Sequence, residues 1–116
     1  MNPPSVIDLP TFEALKEAMG ADYITELVQA YFEETPQLLT KLQEALAGQD
    51  CEGFRQAAHS IKSTSNSFGA LEFGALAKEL EMMGREANLE GASGKVSSLV
   101  SSFEVVKQDI EALNHG

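Results

Sequence analysis

The chain has 116 residues, 43% of them hydrophobic and 22% charged, which argues for one soluble globular domain spanning residues 1–116. Eighteen acidic residues against eight basic ones give a net charge of −10, so the chain cannot spare the basic patch that a nucleic acid or an anionic membrane surface requires. Cys51 is the single cysteine, which excludes an internal disulfide and a cysteine-built zinc site.

No apolar run reaches the ~18 residues needed to span a membrane. The start, Met1-Asn2-Pro3-Pro4-Ser5, has neither the basic residues nor the apolar stretch of a secretion signal. A reducing, cytoplasmic setting is the expectation.

Five segments carry helical spacing. The first is short, from Leu9 to Met19, with Asp8 placed to cap it and Gly20 to stop it. The second runs from Tyr23 to Ala47, with Asp22 as its expected cap. Ile24, Leu27, Val28, Tyr31, Phe32, Leu38, Leu39, Leu42 and Leu46 mark its buried face. Pro36 removes one ladder bond there, but the apolar stripe resumes in phase, so a bend is expected and not a break.

The third helix starts after Asp50 and ends near Phe68, with Gly69 as its stop. The fourth runs from Leu71 to Asn88, with Phe73, Leu76, Leu80, Met83 and Ala87 inward. A small-residue loop, Leu89 to Gly94, leads to a fifth helix carrying Val96, Leu99, Phe103, Val106, Ile110 and Leu113. No strand-like alternation appears. Four long helices joined by short connections predict an all-α, antiparallel up-down-up-down four-helix bundle with a short additional N-terminal helix, ordered over residues 8–113.

The third helix has one unusual face. At 100° per residue, Ala58, Ile61, Ser65 and Phe68 fall within about 40° of Phe54 and form the core stripe. His59 falls about 140° away, pointing outward, with Arg55, Lys62 and Asn66 on its side and Ser63 one turn on. From Gly53 through Leu71 there is no acid, where proportion predicts roughly three. A cationic surround of this kind would keep an imidazole neutral and favour a phosphoryl group beside it. Other chemistry is thinly signalled. The second histidine, His115, lies 56 positions away near the terminus, which leaves no metal-ligand cluster, and no phosphate-binding glycine loop or nucleophile elbow is present.

The segment His59-Ser60-Ile61-Lys62-Ser63-Thr64-Ser65-Asn66-Ser67-Phe68-Gly69-Ala70 resembles the signature of the histidine-containing phosphotransfer (HPt) domain, roughly H-x-x-K-G-x-x-x-x-x-G-A. Leu76-Ala77-Lys78-Glu79-Leu80-Glu81 is similar to that family's next helix, and Glu34-Thr35-Pro36 to its proline-containing long helix. The resemblance covers Asp8 to Leu113. It implies a phosphorelay intermediate, in which His59 accepts a phosphoryl group through Nε2 from a receiver-domain aspartyl phosphate and passes it to another receiver aspartate. By the same resemblance Lys62 neutralises phosphoryl charge and Gly69 ends the helix.

The implied partners are response-regulator receiver domains and a hybrid sensor histidine kinase. The chain would bring no cofactor and no metal of its own, with Mg²⁺ supplied by the receiver. It would work as a monomer and not as an enzyme with its own ATP site. Arg55, Ser63, Asn66, Phe68, Gly69 and Ala70 are the expected docking residues, with Leu71 and Ala57 beside them. Ser63 stands where the family most often has glycine.

Two other readings compete. A histidine-kinase dimerisation domain usually has an acid directly after its histidine and a proline several residues on; here Ser60 follows and no proline comes after Pro36. A non-transferring adaptor or inhibitor would bind a receiver or kinase without needing His59.

Overall fold

In the computed structural model the described residues are 6–115. Expectations placed on Met1–Ser5, on Gly116 and on the His115 side chain fall outside the described residues. The chain forms α1 (Leu9–Met19), α2 (Ala21–Ala47), α3 (Cys51–Ser67), α4 (Leu71–Arg85) and α5 (Ala92–His115), with no strand among the described residues. None of these helices is long and apolar enough to cross a membrane. Helices α2 to α5 pack in ring order, each against its sequence neighbour and α5 back against α2. The short α1 lies against α2 and α3.

Local signals set most of the boundaries. The Asp8 carboxylate accepts from the Thr11 N–H and caps as anticipated, and the Asp50 carboxylate, expected only to precede α3, caps it by accepting from the Gly53 N–H at 3.0 Å. Asp22 does not: α2 begins at Ala21 behind Gly20, and Asp22 sits inside its first turn, where a carboxylate still favours the helix dipole. Pro36 occupies an exposed position, and α2 runs through it unbroken.

Helices α2, α3 and α4 end on the same double hydrogen bond. In α3 the Ala70 N–H donates to the Ser65 carbonyl at 2.9 Å and the Gly69 N–H to that of Asn66 at 3.1 Å. The left-handed residue in this motif is Gly69 (φ +88°) in α3, but Gln49 (φ +57°) in α2 and Ala87 (φ +55°) in α4. Helix α4 therefore stops at Arg85. Ala87, expected on its buried face, is exposed beyond its end. Helix α5 begins at Ala92, inside the expected loop, because the Ala92 side chain is fully buried.

The core follows the anticipated stripes. Phe54, Ala58, Ile61 and Ser65 of α3 and Phe68 just beyond it share one core with Phe73 and Leu80 of α4 and Val96, Leu99, Phe103, Val106 and Ile110 of α5. Ser65 is tolerated there because its hydroxyl pairs with that of Tyr31 at 2.7 Å, while the Tyr31 ring stacks on Phe68. Burial pushes the Tyr31 hydroxyl up to about 12, the Ser65 bond pulling the other way.

Gly69 also makes a long-range contact. Its carbonyl accepts from the Asp8 N–H at 2.8 Å, which clasps the start of α1 to the α3–α4 turn. A Cβ at Gly69 would lie 2.7 Å from the Asp8 carbonyl oxygen, on a backbone with φ +88°. Gly69→Ala is therefore expected to cost about 2 kcal/mol, since left-handed backbone alone costs an L-residue roughly 1–2 kcal/mol. Urea unfolding of the two proteins measures it.

Candidate functional site

The sites for His59 and Lys62 are prepared by an unusually close approach of α3 and α4. On α4 the residues facing α3 are Gly74, Ala77, Glu81 and Gly84, all buried and spaced by three and four. At Gly84 a Cβ would come within 2.9 Å of the Arg55 nitrogen and of the Cys51 carbonyl oxygen, so the backbones meet directly. At Gly74 the space is taken by the Asn66 amide. Small residues thus draw the two helices together, and the one large member of that row, Glu81, is caught in the seam.

Glu81 is 2% exposed, a position where a lone carboxylate would be costly. Three partners compensate it. The His59 Nδ1 lies 2.8 Å from Glu81 Oε2, the Lys62 Nζ 2.7 Å from Oε1, and an Arg85 guanidinium nitrogen 3.3 Å from Oε2. Burial pushes the Glu81 carboxyl upward. The hydrogen bonds and charges of Lys62 and His59 outweigh that push and hold it below the ordinary carboxylate range. Glu81 is therefore an anion at neutral pH and can only accept, so the His59 Nδ1 carries the proton and donates it. The lone pair is left on Nε2, on the ring edge turned away from α4. The His59 side chain is 53% exposed, so that lone pair is within reach of a partner.

The outward angle expected of His59 agrees with this arrangement. Its surround differs from a wholly cationic one: the ring touches a carboxylate. Gly53 to Leu71 is free of acid along the chain, and the acid used there arrives from the next helix. Lys62 is 24% exposed and is engaged by Glu81, so its charge serves the carboxylate first.

The expected docking residues divide. Ser63 and Asn66 are exposed, and Arg55 is half-buried with its guanidinium bonded to Glu52. Phe68, Gly69 and Ala70 are buried, as is Ala57, so they support the α3–α4 turn and the core and offer a partner no surface. Leu71 is exposed at the start of α4.

Glu81 and Arg85 are the residues the sequence reading passed over. Their signal was the row Gly74-Ala77-Glu81-Gly84, in which an acid holds a helix position otherwise given to the smallest side chains.

A family model described as the Hpt domain matches residues 26–116. The fold is similar, with a TM-score of 0.89 over 97% of both chains and 25% identity, to the crystal structure of histidine-containing phosphotransfer protein B from Pseudomonas aeruginosa PAO1. Among curated proteins no sequence relative is found. The matched span includes His59, Lys62, Glu81 and Arg85, and with it the chain belongs to the Hpt domain family.

Proposed function

We propose that this protein is a phosphoryl carrier of a two-component phosphorelay, with His59 Nε2 as the acceptor. The observation that carries the reading is the exposed imidazole whose Nδ1–H is fixed on the buried Glu81 carboxylate. In the loading step Nε2 attacks the phosphorus of a receiver aspartyl phosphate. The N–P bond forms, the P–O bond to the aspartyl carboxylate breaks, and the carboxylate leaves with the electron pair. The proton on Nδ1 stays, so the ring becomes positively charged beside Glu81, which is already in place to stabilise it. Unloading reverses the sequence: a second receiver's aspartate attacks phosphorus and the ring departs neutral.

Little else is asked of the carrier, because phosphoryl transfer needs mainly positioning and charge stabilisation. The receiver contributes its aspartate and Mg²⁺. Lys62 and Arg85 add positive charge beside the ring. All four site residues come from one chain, so one copy suffices for the chemistry. The phosphoryl group arrives from one receiver and leaves to another, so the protein acts as an intermediate and not as a kinase.

The test is to mix the protein with a phosphorylated receiver and Mg²⁺ and to look for an acid-labile, base-stable adduct. His59→Gln should abolish the adduct and leave the helical content and the receiver affinity intact. Full signalling output from His59→Gln would favour a non-transferring adaptor instead.

A further inference from the structure

The hydroxyls along α3 are not alike. Thr64 donates to the Ser60 carbonyl at 3.0 Å, Ser67 donates to the Ser63 carbonyl at 3.2 Å, and Ser65 pairs with Tyr31. Each therefore satisfies itself against the bundle. The Ser60 and Ser63 hydroxyls have no hydrogen-bond partner among the described residues, and both side chains are exposed. Ser63 is one turn beyond His59 and about 40° further round the helix. Side chains lean toward a helix N-terminus, which tips Ser63 toward His59. The Glu81 bond turns Nδ1 toward α4, and by helix angle Ser63 lies on the flank of His59 opposite Lys62, the other α3 residue bound to Glu81.

The cations beside the ring are already committed. Lys62 and Arg85 bind Glu81, and Arg55 binds Glu52. A phosphoryl group on Nε2 brings three acceptor oxygens, and of the two uncommitted hydroxyls on α3 that of Ser63 lies about 40° from His59 around the helix and that of Ser60 about 100°.

We propose that the Ser63 hydroxyl donates a hydrogen bond to a phosphoryl oxygen on His59 Nε2, making Ser63 a binding residue of the loaded site. This rests on the reading of His59 as the acceptor. At this position a glycine would leave a bare backbone, so the serine holds the phosphoryl group in one orientation where a glycine would let it turn.

The experiment needs no natural partner. Phosphoramidate, a small phosphoryl donor, labels an accessible imidazole: the N–P bond to Nε2 forms as the donor's P–N bond breaks, and ammonia leaves. The wild type, Ser63→Ala, Ser63→Gly and His59→Gln are labelled, and the ³¹P shift of the phosphohistidine is followed against pH. A donor to the phosphoryl oxygens favours their dianionic form. Both Ser63 variants should therefore need about threefold to tenfold less acid to take up the proton, moving the midpoint up by about 0.5–1 pH unit. Equal midpoints in wild type and both variants would overturn the proposal. So would a shift in Ser63→Gly but not in Ser63→Ala, which would assign the effect to the backbone. A wild type that acquires no label at residue 59 would overturn the reading of His59 itself, and that result is distinguishable from the others.

Discussion

Lys62→Ala is expected to destabilise the bundle by about 2–3 kcal/mol at neutral pH, a little below the ~3–5 kcal/mol typical when one member of a buried ion pair is removed. The lower figure applies because His59 and Arg85 still face Glu81 and because Lys62 is itself 24% exposed. Lying outside the apolar stripe of α3 would suggest a harmless truncation, but the carboxylate left behind is almost wholly buried. The pH dependence carries the sign of the effect. In the wild type the Glu81 carboxyl is held below its ordinary value of 4.5, so its stabilisation is fully present above that value and is lost as pH falls through the lower folded one. Without Lys62 burial is opposed by less, the carboxyl rises, and charging it costs stability. The gap between the two proteins should be widest at neutral pH and should narrow in acid. Urea titrations at pH 7 and pH 4 measure it, and Glu81→Gln in the same chain should recover part of the loss. A pH-independent difference would mean that Lys62 does not pair with Glu81 in solution.

Gly84→Val is expected to cost about 3 kcal/mol by overpacking and also to slow loading of His59 by on the order of tenfold to a hundredfold. The added Cβ meets backbone atoms of Arg55 and Cys51, which cannot rotate aside as a side chain can. The helices must separate, one turn from the point where Glu81 reaches His59. Gly94→Ala in α5 provides the control: nothing lies within 4 Å of a Cβ there, so it should be neutral or slightly stabilising. Thermal unfolding gives the first effect and single-turnover transfer from a phosphorylated receiver the second. If Gly84→Val were slow to load yet fully stable, close helix approach would not be what positions the ring.

What could be read from the chain and what could not have separate physical causes. The α1 boundaries, the cap at Asp8, the start of α3 after Asp50 and the buried stripes of α3 and α5 are local properties. They follow from a side chain that can accept an orphan N–H, or from apolar spacing near 3.6. The end of α4 was missed because Ala87 adopts a left-handed backbone without being glycine, so no residue type announced the stop. His59 could be placed outside the core by angle alone. Its partner could not be found that way, because Glu81 comes from the next helix, 22 positions on. Phe68 and Ala70 were expected in the docking patch, although Phe68 also fell in the core stripe of α3, and it is the core placement that holds. They turn inward because the α3–α4 turn packs on Ile7 and Asp8 at the start of α1, a contact between distant parts of the chain. Helical periodicity says which face is buried and is silent on what is buried against it.

In the proposed transfer Glu81 fixes the ring of His59 so that Nε2, and not Nδ1, receives the phosphoryl group. A long-range ¹H–¹⁵N correlation spectrum of the phosphorylated protein reads this directly, since the two ring nitrogens differ in shift and in their coupling to phosphorus. Phosphorus is expected on Nε2 of residue 59, with Nδ1 protonated and its proton shifted by the bond to Glu81. Phosphorus on Nδ1, or a ring at residue 59 that stays unmodified while another residue is labelled, would contradict it.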